Sequence, residues 1–164
     1  MYILIHMESY QAVQGEYMIS TDWNRLDLGM IHTFLSNEAY WSKGIPFNVV
    51  VRASKHSLCF GVYHRDKQMG YARVISDYTT IAYLGDVFIL PEYRGRGLSK
   101  WLIGSIQSHP DLQGLRRWIL LTKDAHGLYK GLGWKSIAQP ELWMEVHHKD
   151  VYKQNGSSII AEPV

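Results

Sequence analysis

Cysteine is nearly absent. The single thiol, Cys59, excludes an intramolecular disulfide and a zinc site built on cysteines. Set inside an apolar run, it reads as inert packing. No stretch reaches the roughly 18 consecutive apolar residues of a membrane-crossing helix. An excess of one charge is missing too, because 17 Lys+Arg against 15 Asp+Glu leaves only +2 at pH 7. Without a basic face or run, that balance argues against a nucleic-acid partner. Met1-Tyr2-Ile3-Leu4-Ile5-His6 is apolar but has no basic n-region before it turns polar, so no signal peptide is expected. The expectation is a soluble, cytoplasmic protein with no membrane contact. His147-His148 does not suggest a metal, since neighbours on an extended chain point to opposite faces and no further ligands cluster.

What is present is a core. With 164 residues, 46% of them hydrophobic, one domain over residues 1–150 is expected, followed by a flexible polar tail over 151–164. Residues 1–15 carry little pattern, and Tyr17 to Asp22 suits a short strand. Asp22 or Asn24 then suits the cap of a helix carrying Leu26, Met30, Phe34 and Leu35. A loop with Tyr40, Trp41, Gly44 and Pro46 leads to a second helix, Phe47 to about Lys55. Strands follow at 57–63, 69–75 and 81–90, with polar turns between them. After a third helix, Trp118 to Thr122 reads as a strand buried on both faces. A short helix from Ala125 to Leu132 closes at Gly133. Ile137 to Val146 reads as a last strand, interrupted at Pro140. The sum is an α+β domain on one mixed, mostly antiparallel sheet flanked by helices.

The chain turns on Val87-Phe88-Ile89-Leu90-Pro91-Glu92-Tyr93-Arg94-Gly95-Arg96-Gly97-Leu98-Ser99-Lys100. A β-rich run breaks at proline, passes two glycines flanked by arginines, and enters a helix. Freed backbone N–H groups and the positive end of a helix dipole make an anion cradle. A dinucleotide fingerprint does not fit, since Lys100 stands where a third glycine belongs. A Walker A loop does not fit either, because no Gly-Lys-Ser/Thr follows.

The turn resembles the central motif of the GNAT (Gcn5-related N-acetyltransferase) superfamily, Arg/Gln-x-x-Gly-x-Gly/Ala. Here it reads Arg94-Gly95-Arg96-Gly97-Leu98-Ser99, with a small serine at the last position. The family's second motif matches Ala125-His126-Gly127-Leu128-Tyr129-Lys130-Gly131-Leu132-Gly133. The resemblance is strongest over residues 70–147 and implies acetyl-CoA as co-substrate, with no metal. It implies that the amides of Gly95, Arg96, Gly97, Leu98, Ser99 and Lys100 cradle the pyrophosphate, with Arg94 and Arg96 adding charge. It implies that Val87, Phe88 and Ile89 offer backbone to the pantetheine arm, and one of their amides to the thioester oxygen. Thr122 stands where the family has a pantetheine-binding asparagine.

The activity so implied is N-acetylation of a primary amine on a small molecule or amino-acid-like acceptor. A protein or peptide amine, or a non-catalytic CoA-binding sensor, is the alternative. Tyr129 matches the tyrosine proposed in the family as the acid for the leaving thiolate. The family's strand glutamate is missing, since Tyr83 and Gly85 align with it. Asp86 is the one carboxylate on that strand; period two puts it on the face of Leu84, Phe88 and Leu90, either at the reaction centre or buried for structure. His126, one turn before Tyr129, is a cap, a packing residue or a catalytic group. Tyr40, Trp41, Tyr71, Arg73, Asp77 and Tyr83 are candidates for the acceptor pocket. A homodimer through the C-terminal strand is a further expectation.

Overall fold

A computed structural model describes residues 9–153. The apolar start at residues 1–6 and the polar segment 154–158 lie outside them. Six strands form one sheet in chain order: β1 (Gln11–Gln14), β2 (Tyr17–Ser20), β3 (Leu58–His64), β4 (Lys67–Ser76), β5 (Ile81–Ile89) and β6 (Arg117–Ile119). Every neighbouring pair is antiparallel except β5 with β6, which is parallel. Among the described residues there are four α-helices: α1 (Leu28–Asn37), α2 (Phe47–Lys55), α3 (Leu98–Gln107) and α4 (His126–Lys130). No helix among the described residues is long and apolar enough to cross a membrane.

Each face of the sheet buries a separate core. On one, Phe60, Val62, Met69, Ala72, Val74, Ala82 and Leu84 meet Leu98, Leu102, Ile103 and Ile106 of α3. On the other, Cys59, Tyr71 and Phe88 meet Ile31, Phe34 and Leu35 of α1 and Val50 of α2. The alternation of strand residues assigns them to their faces, and the i, i+3, i+4 spacing in α1 supplies one helical stripe. Phe34 stacks on Phe88 with ring centroids 3.9 Å apart and planes 13° from parallel.

Several expectations need correcting. Asp27 caps α1, its Oδ1 accepting from the Met30 N–H at 2.9 Å. Asp22 instead caps a single 3₁₀ turn, Trp23–Arg25. The chain before Tyr17 contains β1, an edge strand Gln-Ala-Val-Gln whose two apolar residues are adjacent and so show no alternation. β6 spans only three residues and is half-exposed, so it is not the doubly buried strand expected over 118–122. Ile137–Val146 forms no strand among the described residues, only a 3₁₀ turn at Pro140–Leu142. Residues 151–153, expected in a flexible tail, form a turn that packs Tyr152 against the α1/α2 core.

Tyr63 is fully buried in β3 and its hydroxyl has no partner among the described residues. Burial pushes it from the usual 10.0 up to about 12. Between those values the unfolded chain releases the proton and the native one keeps it, so stability falls as pH rises from 10.0 toward about 12. Urea midpoints measured from neutral to strongly alkaline pH should show that fall. Tyr63→Phe should reduce it without lowering stability at neutral pH, because the unpaired hydroxyl contributes no bond.

Candidate active site

The site begins where two strands part. β5 pairs with β6 only at Ile81, Ala82 and Tyr83, facing Arg117, Trp118 and Ile119. From Leu84 to Ile89, β5 continues with no strand on that side among the described residues, while β4 covers the other. A backbone edge therefore opens into a wedge between β5 and β6. Its N–H and C=O groups can accept an extended amide-bearing ligand as an added strand.

The wedge has a local cause. The β4–β5 register shifts between Tyr71 and Arg73, which face Phe88 and Gly85 respectively, so β5 carries one extra residue there. Asp86 occupies that bulge with φ +53°, a left-handed value that aspartate tolerates better than most residues. The bulge also breaks period two. Leu84 faces α3 whereas Phe88 faces α1 and α2, so the face expected for Asp86, shared with both, does not exist.

Asp86 instead lies on the α1/α2 side and is fully engaged. The Arg73 Nε–H donates to its Oδ2 in a largely buried ion pair. The Trp41 Nε1–H donates to its Oδ1 at 3.0 Å. Arg73 also donates to the Ser57 hydroxyl at 3.3 Å. Burial pulls the Arg73 pKa down, but the adjacent Asp86 charge outweighs that and leaves it raised. The Asp86 carboxylate thus has both oxygens occupied, and it fixes a tryptophan of the α1–α2 loop over β5.

At the end of β5 the chain passes a 3₁₀ turn, Pro91–Tyr93, and enters α3 through two left-handed glycines, Gly95 at φ +76° and Gly97 at φ +78°. A Cβ at either would meet nothing within 4 Å, so both open onto free space. The six consecutive N–H groups from Gly95 to Lys100 donate to nothing among the described residues. A run of free amides at the N-terminus of a ten-residue helix is an anion nest. The arginines brace it: Arg94 Nε donates to the Ile89 carbonyl at 2.9 Å, and Arg96 Nη1 to the Tyr17 hydroxyl at 2.9 Å.

On the far wall, Tyr129 is buried in α4 and its hydroxyl makes no hydrogen bond among the described residues. Burial raises it to about 12, with smaller contributions from Tyr40 and Tyr83. The Tyr40 hydroxyl accepts from the Lys123 N–H at 2.9 Å, tying the α1–α2 loop to the β6–α4 loop. Thr122 accepts from the Ala125 N–H at 3.0 Å and so opens α4. His126 is exposed and neither caps nor packs.

Two expected pocket residues lie elsewhere. Tyr71 is fully buried, its hydroxyl held by Ser54 at 2.9 Å and Cys59 at 3.1 Å. Asp77 sits in the β4–β5 turn, at the opposite end of β5 from the glycine turn. Its carboxylate is held well below the usual range by Thr80 first, then by the amides of Thr79 and Ile81. Sequence reasoning missed Tyr152, whose raised pKa reflects burial and then the nearby Asp86 charge. Its one signal is an aromatic residue in a polar stretch. Among the described residues no group of three or more His, Cys, Asp and Glu side chains converges as a metal site.

A mixed sheet whose last two strands part beside a nest of free amides defines an acyl-CoA N-acyltransferase fold. A model of the acetyltransferase (GNAT) family matches residues 30–134. A candidate acetyltransferase of Gibberella zeae is 34% identical over 149 residues, covering 77% of this chain and 83% of that protein. The crystal structure of a GNAT-family candidate acetyltransferase from Xanthomonas campestris pv. campestris is 50% identical with a TM-score of 0.83, covering 87% of this chain and 100% of that one. A candidate acetyltransferase of Clostridium acetobutylicum, solved with acetyl-CoA, has a TM-score of 0.58 at 13% identity over 80% of this chain and 94% of that one. That last likeness is one of fold alone. The chain belongs to the GNAT acetyltransferase family.

Asp86→Asn isolates the ion pair, since asparagine tolerates the same φ and can still accept from Trp41. Arg73 would remain buried without its counter-charge. Urea denaturation should show a loss of about 3 kcal/mol; an unchanged midpoint would mean that the pair does not hold the bulge.

Proposed function

We propose that the protein transfers an acetyl group from acetyl-CoA to a primary amine of a small or amino-acid-like acceptor. The observation that carries this reading is the run of six unpartnered amides, Gly95 to Lys100, directly following an open strand edge. Acetyl-CoA supplies the acetyl group, activated as a thioester.

The Gly95–Lys100 amides and the α3 dipole hold the pyrophosphate, and the open space above Gly95 and Gly97 lets phosphate oxygens reach the backbone. The free edge at Val87, Phe88 and Ile89 takes the pantetheine amides, and one N–H of that edge supports the charge that grows on the carbonyl oxygen. The acceptor enters from the α1–α2 loop side, where Tyr40, Trp41, Tyr83 and Tyr152 offer aromatic faces suited to an alkylammonium group. An acceptor held there as an ammonium first loses one proton to solvent; its nitrogen then forms the C–N bond as the C–S bond breaks and sheds a second proton to water. Tyr129 gives its proton to the departing sulfur and regains one from water, so the turnover releases one proton net.

Asp86 positions rather than abstracts. With Arg73 and Trp41 on its two oxygens, it holds the bulge and the tryptophan beside the wedge. One buried thiol and no disulfide suit a cytoplasmic setting.

The test is steady-state kinetics on a panel of primary amines, following CoA release. Tyr129→Phe should lower kcat about a hundredfold while the KM for acetyl-CoA changes little. With Tyr129 at about 12, the wild-type rate should rise with pH as the acceptor ammonium deprotonates, without a tyrosine limb near neutrality. An unchanged kcat in Tyr129→Phe removes its role as the acid. No CoA release with any amine overturns the assigned reaction.

A further inference from the structure

The β1–β2 hairpin is remote from the glycine turn in sequence, yet the two meet in space. A cavity of about 570 Å³ has residues 14–17 of the hairpin on one side and Arg96, Gly97, Leu98, Lys100 and Trp101 on the other. Four of these, Arg96, Gly97, Leu98 and Lys100, belong to the run of free amides at the start of α3. The Arg96 Nη1–H donates to the Tyr17 hydroxyl at 2.9 Å, a bond between residues 79 apart in the chain.

Arg96 is exposed, and a free arginine side chain loses rotamer freedom with any contact it makes. Here it is held on three sides. Besides the Tyr17 hydroxyl, its Nη2–H donates to the Glu92 carbonyl at 3.4 Å, and its guanidinium lies 5.5 Å from the centre of the Tyr93 ring. Those bonds use two N–H groups of a guanidinium that has five, so donors remain for an anion.

Tyr17 can hold Arg96 because its own place is set. It opens β2 opposite His64, with ring centroids 5.1 Å apart, and packs against the α3-side core. Nor does a carboxylate compete for the arginine. Glu16, the one acidic residue lining the cavity, has one oxygen on Arg65 at 2.8 Å and the other on His64 at 3.3 Å.

We infer that Tyr17 is a positioning residue of the cofactor site: it holds Arg96 beside the Gly95–Lys100 amides, where the guanidinium meets the pyrophosphate. The inference rests on the acetyl-CoA reading and adds to it a residue of the hairpin, outside both sequence motifs. The brace is in place before the cofactor arrives, so part of the ordering that binding requires is already done and the hairpin's backbone pairs stay as they are. A staple that only fastened the hairpin to α3 would affect stability and leave cofactor affinity alone.

Calorimetric titration of the full chain with CoA tests this without any turnover. Tyr17→Phe keeps the ring and removes the hydroxyl, and should weaken CoA about fivefold. The KM for acetyl-CoA should rise alike while kcat stays unchanged. Arg96→Ala should weaken CoA at least as much, and adding Tyr17→Phe to it should bring no further loss, because the phenol acts through the guanidinium. Dephospho-CoA, which keeps the pyrophosphate and lacks the 3′-phosphate, should show the same factor. Equal CoA affinity in wild type and Tyr17→Phe overturns the inference, as do additive losses in the double variant or a factor that vanishes with dephospho-CoA. A wild type that binds no CoA overturns the acetyl-CoA reading as well. CoA binding without transfer to any amine overturns the assigned reaction and leaves Tyr17 in its role.

Discussion

Asp86 takes a left-handed backbone conformation in the middle of β5, and its carboxylate binds Arg73 on one oxygen and Trp41 on the other. The extra residue at that point shifts the register against β4, and Phe88 then turns to the α1/α2 core where Phe34 stacks on it. β5 pairs with β6 only as far as Tyr83, just before the bulge; from Leu84 onward it does not. The open edge, the aim of the strand into the glycine turn and the place of the α1–α2 loop all depend on this kink. Burying the ion pair costs desolvation that only the pair itself offsets, so each partner is held by the need of the other.

The two faces of the sheet divide the labour. α3 covers one face with a continuous apolar stripe and presents its N-terminus at the mouth of the wedge. The other face carries α1, α2, the aromatic loop and Tyr152, and that is the side from which the acceptor is proposed to enter. Tyr129 is buried with the α3-side core, and Tyr40 ties the α1–α2 loop to the loop before α4. A rigid strand-and-helix frame thus lies under a site closed by loops, as sites on such scaffolds commonly are.

Legibility in the sequence followed range. The glycine turn was readable because its causes are local: two positive-φ glycines and a helix start lie within six residues. Tyr129 is singled out by the likeness of residues 125–133 to the family's second motif, and the structure buries it in α4. The face of Asp86 was misread, because period two holds only until a bulge, and an aspartate after Gly85 does not announce one. Tyr71 looked like a pocket residue until its hydroxyl was found between Ser54 and Cys59 in the core. Ile137–Val146 reads as a strand interrupted at Pro140, yet among the described residues it pairs with no strand and only turns at Pro140–Leu142, because an apolar run does not name a pairing partner. β1 leaves no period-two pattern to read, because its two apolar residues, Ala12 and Val13, are adjacent.

The central claim is that the six amides at the start of α3 hold the pyrophosphate and that the β5 edge takes the arm leading from it. Backbone hydrogen exchange, resolved by residue with and without acetyl-CoA, tests it most directly. The account predicts slowed exchange at Gly95–Lys100 and along Val87–Ile89, with the β1–β2 hairpin unchanged. Equal exchange at Gly95–Lys100 in both samples would contradict it.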